Sequence, residues 1–175
     1  WGRAMADYDV LIIGGGPVGA ALALALTGSG LALGLLEARA PGAAADARPI
    51  ALSDGSRLIL ERLGVWERLA GATPIRRIHV SQRGGFGRVE LDAGQAGVPA
   101  LGYVLDYGQI SEVLARALET RGGVDLIRAT AGALEPGTDA AAVVIDAVGA
   151  GRASARLLAV ADGGALPVAR LRIRD

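Results

Sequence analysis

Gly14, Gly16 and Gly19, set within DVLIIGGGPVGAALALAL, have the types and spacing that point most directly to chemistry in this chain. In G-x-G-x-x-G the first glycine permits a tight turn and the second lets backbone N–H groups approach a pyrophosphate with no Cβ in the way. The third lets a helix pack close to a strand. Pro17 sits where that helix begins, its fixed φ and missing N–H suiting the first turn, with Val18 next to it. The helix N-terminus adds a partial positive charge. Glu37 follows 18 positions after Gly19 (37 − 19), at the end of a second apolar run. There a carboxylate accepts hydrogen bonds from the hydroxyls of an adenosine ribose and repels a 2′-phosphate, which disfavours NADP at this site. The combination predicts a site for an ADP-containing dinucleotide and leaves open which one.

Other chemistry is excluded by composition. The 18 acidic residues balance 18 basic ones, and the basic residues are all Arg. Zero net charge argues against a broad nucleic-acid surface. Without Lys the chain cannot carry a Walker-type phosphate-binding lysine or a Schiff base. Without Cys it has no thiolate nucleophile, disulfide or thiolate metal site, and one His makes no imidazole cluster, so no metal site is expected. His79 falls in the alternating stretch RRIHVSQR and reads as a solvated strand residue with no acid or nucleophile partner. Arg48, in the loop before a helix, has two readings at this point, a clamp on a pyrophosphate or an ordinary exposed Arg.

The elements that must position these residues are legible as an α/β pattern. Tyr8 to Ile13 is a short apolar run rich in β-branched residues, expected as a strand buried on both faces. Val18 to Thr27 is a tightly buried helix, and Leu31 to Leu36 a second strand. Together they predict a βαβ unit with a parallel pair and right-handed crossover. Ala38 to Asp46 is loop. Ser53 or Asp54 caps a helix whose stripe is Ile59, Leu63 and Trp66. RRIHVSQR is a half-buried antiparallel strand with Ile78 and Val80 on one face. RVELD and ALGYVLD follow as strands. Ile110, Val113, Leu114, Ala117 and Leu118 line one face of a helix closed by Gly122 and Gly123. Val124 to Arg128 is a strand, and about three short strands between Ala129 and Ala159 make an antiparallel meander.

In this order the blocks GGGPVG, E-A-R, RPIALSDGSRLILERLGVWERL, PIRRIHVSQRGGFGRVEL, ALGYVLDYGQISEVLARAL and LLAVADGG resemble the flavin-dependent aromatic hydroxylases of ubiquinone biosynthesis. These are relatives of para-hydroxybenzoate hydroxylase. The resemblance runs over essentially the whole chain from Asp9. It implies a Rossmann-like FAD-binding domain, a parallel sheet with a βαβ start plus an antiparallel meander, incomplete at the C-terminus. It places Gly14, Gly16, Pro17, Val18 and Gly19 at the FAD pyrophosphate and Glu37 at its adenosine ribose. Arg48 goes to the pyrophosphate or ribityl region, and Gln109, in Tyr-Gly-Gln, to the ribityl chain. Asp162, in Asp162-Gly163, matches a second motif that helps organise the flavin and nicotinamide sites. Two positions depart from the pattern: Leu166 stands where the family shows Ser, and Arg170 comes later than the family's Arg. The implied chemistry is that NAD(P)H reduces FAD and the reduced flavin activates O₂, delivering one oxygen to a phenolic, prenylated ring. The cofactor does the hard step, and no catalytic residue is assigned.

Further expectations concern the extent of the chain and its partners. The only Met is Met5, so residues 1–4 are expected to be a cloning or upstream-translation remnant, and 5–175 the N-terminal part of the FAD-binding domain. Residues 75–105 are assigned to a substrate-side β region. Family chains run well past this length, and the remainder would hold a Gly-Asp motif for the ribityl chain, a further sheet strand and most of the substrate domain. The expected partner is a small aromatic substrate, with no nucleic acid, and the expected location is the cytoplasm, with prenylated substrates bringing the intact enzyme to a membrane surface. Two other readings stand beside this one. A NAD-linked Rossmann dehydrogenase also satisfies the fingerprint, although it would continue with further βα units where this chain turns to antiparallel strands. Alternatively, the chain is an inactive truncated fragment, whose ARLLAVA strand would lack its neighbour and leave an apolar edge that drives self-association.

Overall fold

The computed structural model describes residues 7–40, 46–82, 84, 87–135, 141–146 and 151–164. The elements run β1 (Tyr8–Ile13), α1 (Pro17–Leu26), β2 (Leu33–Leu36), β3 (Pro49–Ser53), α2 (Asp54–Arg62), β4 (Thr73–Ile75), β5 (Arg77–Ser81) and β6 (Arg88–Asp92). They continue with β7 (Gly102–Asp106), α3 (Tyr107–Arg121), β8 (Asp125–Ile127), β9 (Thr130–Glu135), β10 (Ala141–Asp146) and β11 (Gly151–Val160). The chain divides into two compact units, residues 1–44 with 114–175, and residues 45–113, the division falling inside α3.

The first unit is built on a six-stranded sheet in the order β8-β2-β1-β11-β10-β9. β8, β2, β1 and β11 run parallel, while β10 and β9 are antiparallel to their neighbours. This is the α/β architecture expected from the sequence, a βαβ start joined to a meander. The period-2 geometry of β1 sends Val10 and Ile12 to one face, where they pack with Ala23 of α1 and with Leu33 and Leu35. Leu11 and Ile13 go to the other face, against Leu36, Ala153 and Ala155. Burial on both faces explains why the strand is apolar throughout rather than alternating. β2 begins at Leu33, two residues later than expected, because Ala32 is engaged by Asp9: its N–H donates to the Asp9 carboxylate at 3.0 Å, and its carbonyl accepts the Asp9 N–H at 2.9 Å.

The strand expected at ARLLAVA falls in the second half of β11. β11 lies inside the sheet, paired with β1 from Ala155 to Val160 and with β10 from Gly151 to Ala155. The expected meander covers only the first half of β11, as far as Ala155. Beyond Ala155 the β10 register ends, so Arg156 to Val160 is laddered on the β1 side only among the described residues.

The second unit holds a three-stranded antiparallel sheet, β3-β7-β4, and the two-stranded ribbon β5-β6. β3 and β4 were not expected as strands. Each carries a proline, β3 at its first position, and both lie outside β7 in the sheet, where a missing N–H is tolerated. Ser53 caps α2, its hydroxyl accepting the Ser56 N–H at 3.2 Å. The stripe expected for this helix is also corrected. Leu63 is buried as expected, but Ile59 is 55 % exposed and Leu60 is buried in its place. An Ile59–Leu63–Trp66 stripe needs a helix through Trp66, whereas α2 stops at Arg62 and Gly64 turns the chain at φ 72°. Trp66 falls in a short 3₁₀ turn, its ring edge-on to Tyr103 with centroids 5.1 Å apart. β5 pairs β6 as an antiparallel ribbon, with Ile78↔Leu91 and Val80↔Val89 on one face. That face is more open than the half-buried strand expected, because no third layer covers Val80, Val89 and Leu91 among the described residues.

Candidate dinucleotide site

Three loops leave the C-terminal ends of neighbouring parallel strands, and backbone hydrogen bonds that prolong the ladders hold them side by side. Ala161 donates to the Ile13 carbonyl at 2.8 Å, Gly14 to Leu36 at 2.8 Å, and Glu37 to Ile127 at 2.9 Å. The glycine turn, Glu37 and Asp162 are thus brought to one edge of one sheet, the place where open α/β sheets bind ligands. Gly14 has φ 103°, a conformation that side chains rarely adopt, and a Cβ there would stand 2.5 Å from the Ala161 carbonyl oxygen. A Cβ on Gly19 would run into the Gly14 carbonyl. Both glycines therefore have the roles that the fingerprint assigns them.

α1 starts at Pro17 behind Gly16, which as N-cap offers no side chain to its first turn, and no acidic residue sits in that turn. Helix N-termini of this kind receive anions, since the orphan N–H groups and the dipole act together. Val18 is exposed at the start of the helix. Asp162 closes its own turn by accepting the Gly164 N–H at 2.9 Å. Leu166 and Arg170 lie outside the described residues.

The Glu37 side chain is mostly buried, 12 % exposed. Burial alone would raise its pKa. Hydrogen bonds from the Arg39 N–H and guanidinium, with that from the Gly15 N–H, outweigh it and hold the carboxyl below the usual glutamate range. The group is therefore ionised near neutral pH.

Arg48 and Gln109 belong to the second unit, where the structure brings them to a common place around the first turn of α3. Tyr107 donates its N–H to the Arg48 carbonyl at 3.0 Å, and Gly108 donates to Asp46 at 2.9 Å. The Arg48 guanidinium lies over the Tyr107 ring, 4.6 Å from its centroid, and pairs with Asp46 at 3.1 Å. Asp106 caps the helix by accepting the Gln109 N–H at 3.0 Å. The Gln109 Oε1 is buried with no hydrogen-bond partner among the described residues, which marks an acceptor left for a ligand or water.

Sequence reasoning missed Gly15, Arg39 and Tyr107. The third glycine of the run, the E-A-R string and an aromatic just before Gly-Gln were the available signals. His79 is an exposed strand residue, as expected, and the register sets it opposite Glu90, which the sequence did not show.

Comparison with known proteins agrees with this geometry. The FAD binding domain family matches residues 7–172. The 3-demethoxyubiquinol 3-hydroxylase of Escherichia coli is 34 % identical over 125 residues, 67 % of this chain and 32 % of that protein. The ubiquinone hydroxylase UbiM of Neisseria meningitidis is 42 % identical over 66 residues, 35 % of this chain and 14 % of that protein. The chain therefore spans about a third or less of these relatives' length. Among solved structures, p-nitrophenol 4-monooxygenase PnpA of Pseudomonas putida superposes with a TM-score of 0.75 at 21 % identity, over 95 % of this chain and 44 % of that one. The anhydrotetracycline hydroxylase OxyS of Streptomyces rimosus does so with a TM-score of 0.69 at 27 % identity, over 90 % and 32 %. The Gly14 turn that a Cβ would fill, the uncapped start of α1 and the oriented Glu37 carboxylate all fit the ADP half of FAD, and over residues 7–172 the chain belongs to the FAD binding domain family.

Proposed function

We propose that this chain is the N-terminal portion of an FAD-dependent monooxygenase that hydroxylates a phenolic, prenylated ring in ubiquinone biosynthesis, using NAD(P)H and O₂. The observation that carries the reading is the meeting of the glycine turn, Glu37 and Asp162 at the C-terminal ends of β1, β2 and β11. The names of the two ubiquinone-pathway relatives support the substrate class.

FAD, when bound, supplies the redox chemistry, accepting reducing equivalents and activating oxygen. The chain's own residues bind and orient it. Gly14 makes the tight turn, Gly16, Val18 and Gly19 present N–H groups to the pyrophosphate, Pro17 starts α1 so that its dipole faces the same group, and Gly19 also allows close packing. Glu37 accepts the ribose hydroxyls. Arg48 adds a cation for the pyrophosphate or ribityl region, Gln109 offers its buried Oε1 to the ribityl chain, and Asp162 orders the flavin and nicotinamide ends. Residues 75–105 belong to the substrate side. A prenylated substrate brings the intact enzyme to a membrane surface. The antiparallel meander of β9, β10 and β11 speaks against a NAD-linked dehydrogenase, which would continue in βα units.

The test uses the full-length gene product that contains this chain, supplied with FAD, NADH or NADPH, air and prenylphenol candidates. The expected product carries one added oxygen, with reduced nicotinamide consumed in step. Nicotinamide-dependent oxidation of an alcohol with no oxygen incorporated would overturn the reading.

A further inference from the structure

Glu37 is held from two sides by residues to which neither the glycine fingerprint nor the resemblance gives a role. Arg39 donates its backbone N–H to Oε1 at 2.7 Å and its Nε–H to the same oxygen at 3.3 Å. On the other side the carboxylate lies over Gly15. A Cβ built on Gly15 would stand 2.5 Å from Oε2, 3.0 Å from the Glu37 Cβ and 3.2 Å from its carboxyl carbon. Gly15 fills the first free position of G-x-G-x-x-G, where the fingerprint asks for no particular residue. Its φ is not positive either, so no backbone strain calls for glycine. The space taken by Glu37 is what calls for it.

We propose that Gly15 and Arg39 are positioning residues that set specificity for the ribose. Together they fix the Glu37 carboxylate beside the glycine turn, Oε1 tied to Arg39 and Oε2 seated over Gly15, as a preset acceptor for the adenosine hydroxyls. A flexible glutamate would lose rotamer entropy on binding, whereas one already held in place loses little. The exposure of the two groups fits the division of labour, 51 % for the Arg39 side chain against 12 % for Glu37. The cation braces the carboxylate from the solvent side. The inference rests on the dinucleotide reading above.

The three atoms nearest a Gly15 Cβ belong to the Glu37 side chain rather than to backbone. Gly15→Ala is therefore expected to keep the fold and displace the carboxylate. Arg39→Gln removes the brace without touching the turn and serves as the independent second variant. The chain is titrated calorimetrically with ADP and with 2′-deoxy-ADP, and thermal unfolding is followed alongside. In the parent, ADP binds about tenfold tighter than the deoxy analogue, the order expected for a hydrogen bond to a charged group. In Gly15→Ala and in Arg39→Gln the preference falls to about twofold or less, with no further fall when Glu37→Ala is added to either. A merely structural role would weaken both ligands equally and leave the ratio unchanged. A parent preference that survives in both variants overturns the proposal and leaves the dinucleotide reading standing. A parent that binds neither ligand, or shows no preference, overturns the ribose assignment of Glu37 itself and the proposal with it.

Discussion

Two opposing influences act on the carboxylate of Glu37: burial, which favours the neutral acid, and the hydrogen bonds from Arg39 and Gly15, which favour the anion and prevail. A carboxyl held below its ordinary value of 4.5 stabilises the fold fully above that pH, and the contribution is lost as pH falls through the lowered value. Comparing the thermal unfolding of the parent chain and of Glu37→Gln across pH tests this. The parent is expected to lead by a constant margin near neutrality and to lose that margin below about pH 4. A margin that grew on acidification would contradict the assignment. The position of this acid beside the glycine turn was legible in the sequence, because its distance from that turn and its place after a strand end are set by the βαβ unit. What holds it was not legible. Gly15 looks like a spare glycine in a run of three, and only the approach of the Glu37 side chain gives it a reason. The pairing of Arg48 with Tyr107 was hidden for a similar reason, since it joins positions far apart in sequence that the β3–β7 ladder brings together.

Elements built on strong apolar patterns were read from sequence almost to the residue. β1, α1 and α3 owe this to burial on two faces and to a proline start and glycine stop, whereas the meander was read as about three strands without their bounds. β3 and β4 were missed because short strands containing proline carry little pattern. The α2 stripe was misplaced because the turn at Gly64 ends the helix before Trp66. Packing at the centre of the first unit gives a direct test. Leu35 is 1 % exposed, in the face cluster with Val10, Ile12 and Ala23. Leu35→Ala is expected to cost about 2–5 kcal/mol by denaturant titration, the transfer and cavity terms adding. It should also weaken dinucleotide binding, because β2 leads directly into Glu37. A cost below about 1 kcal/mol would place Leu35 outside a close-packed core.

At the scale of the molecule, the chain separates into a dinucleotide-type sheet unit and a second unit of small antiparallel sheets. The expected site residues divide the same way. The glycine turn, Glu37 and Asp162 belong to the first unit, and Arg48 and Gln109 to the second. No helix among the described residues is long and apolar enough to cross a membrane. The resemblance read from successive sequence blocks agrees with the FAD binding domain match over residues 7–172. Composition could not have shown it, since an Ala- and Gly-rich chain with a G-x-G-x-x-G turn suits several dinucleotides. The central claim is that this chain binds FAD. The most direct measurement is the near-ultraviolet and visible absorption spectrum of the purified chain, taken after incubation with FAD and desalting. Flavin bands retained in stoichiometric amount, and reduced in Glu37→Ala, are the predicted result. A chain that desalts colourless and shows no quenching of flavin fluorescence on titration would contradict it.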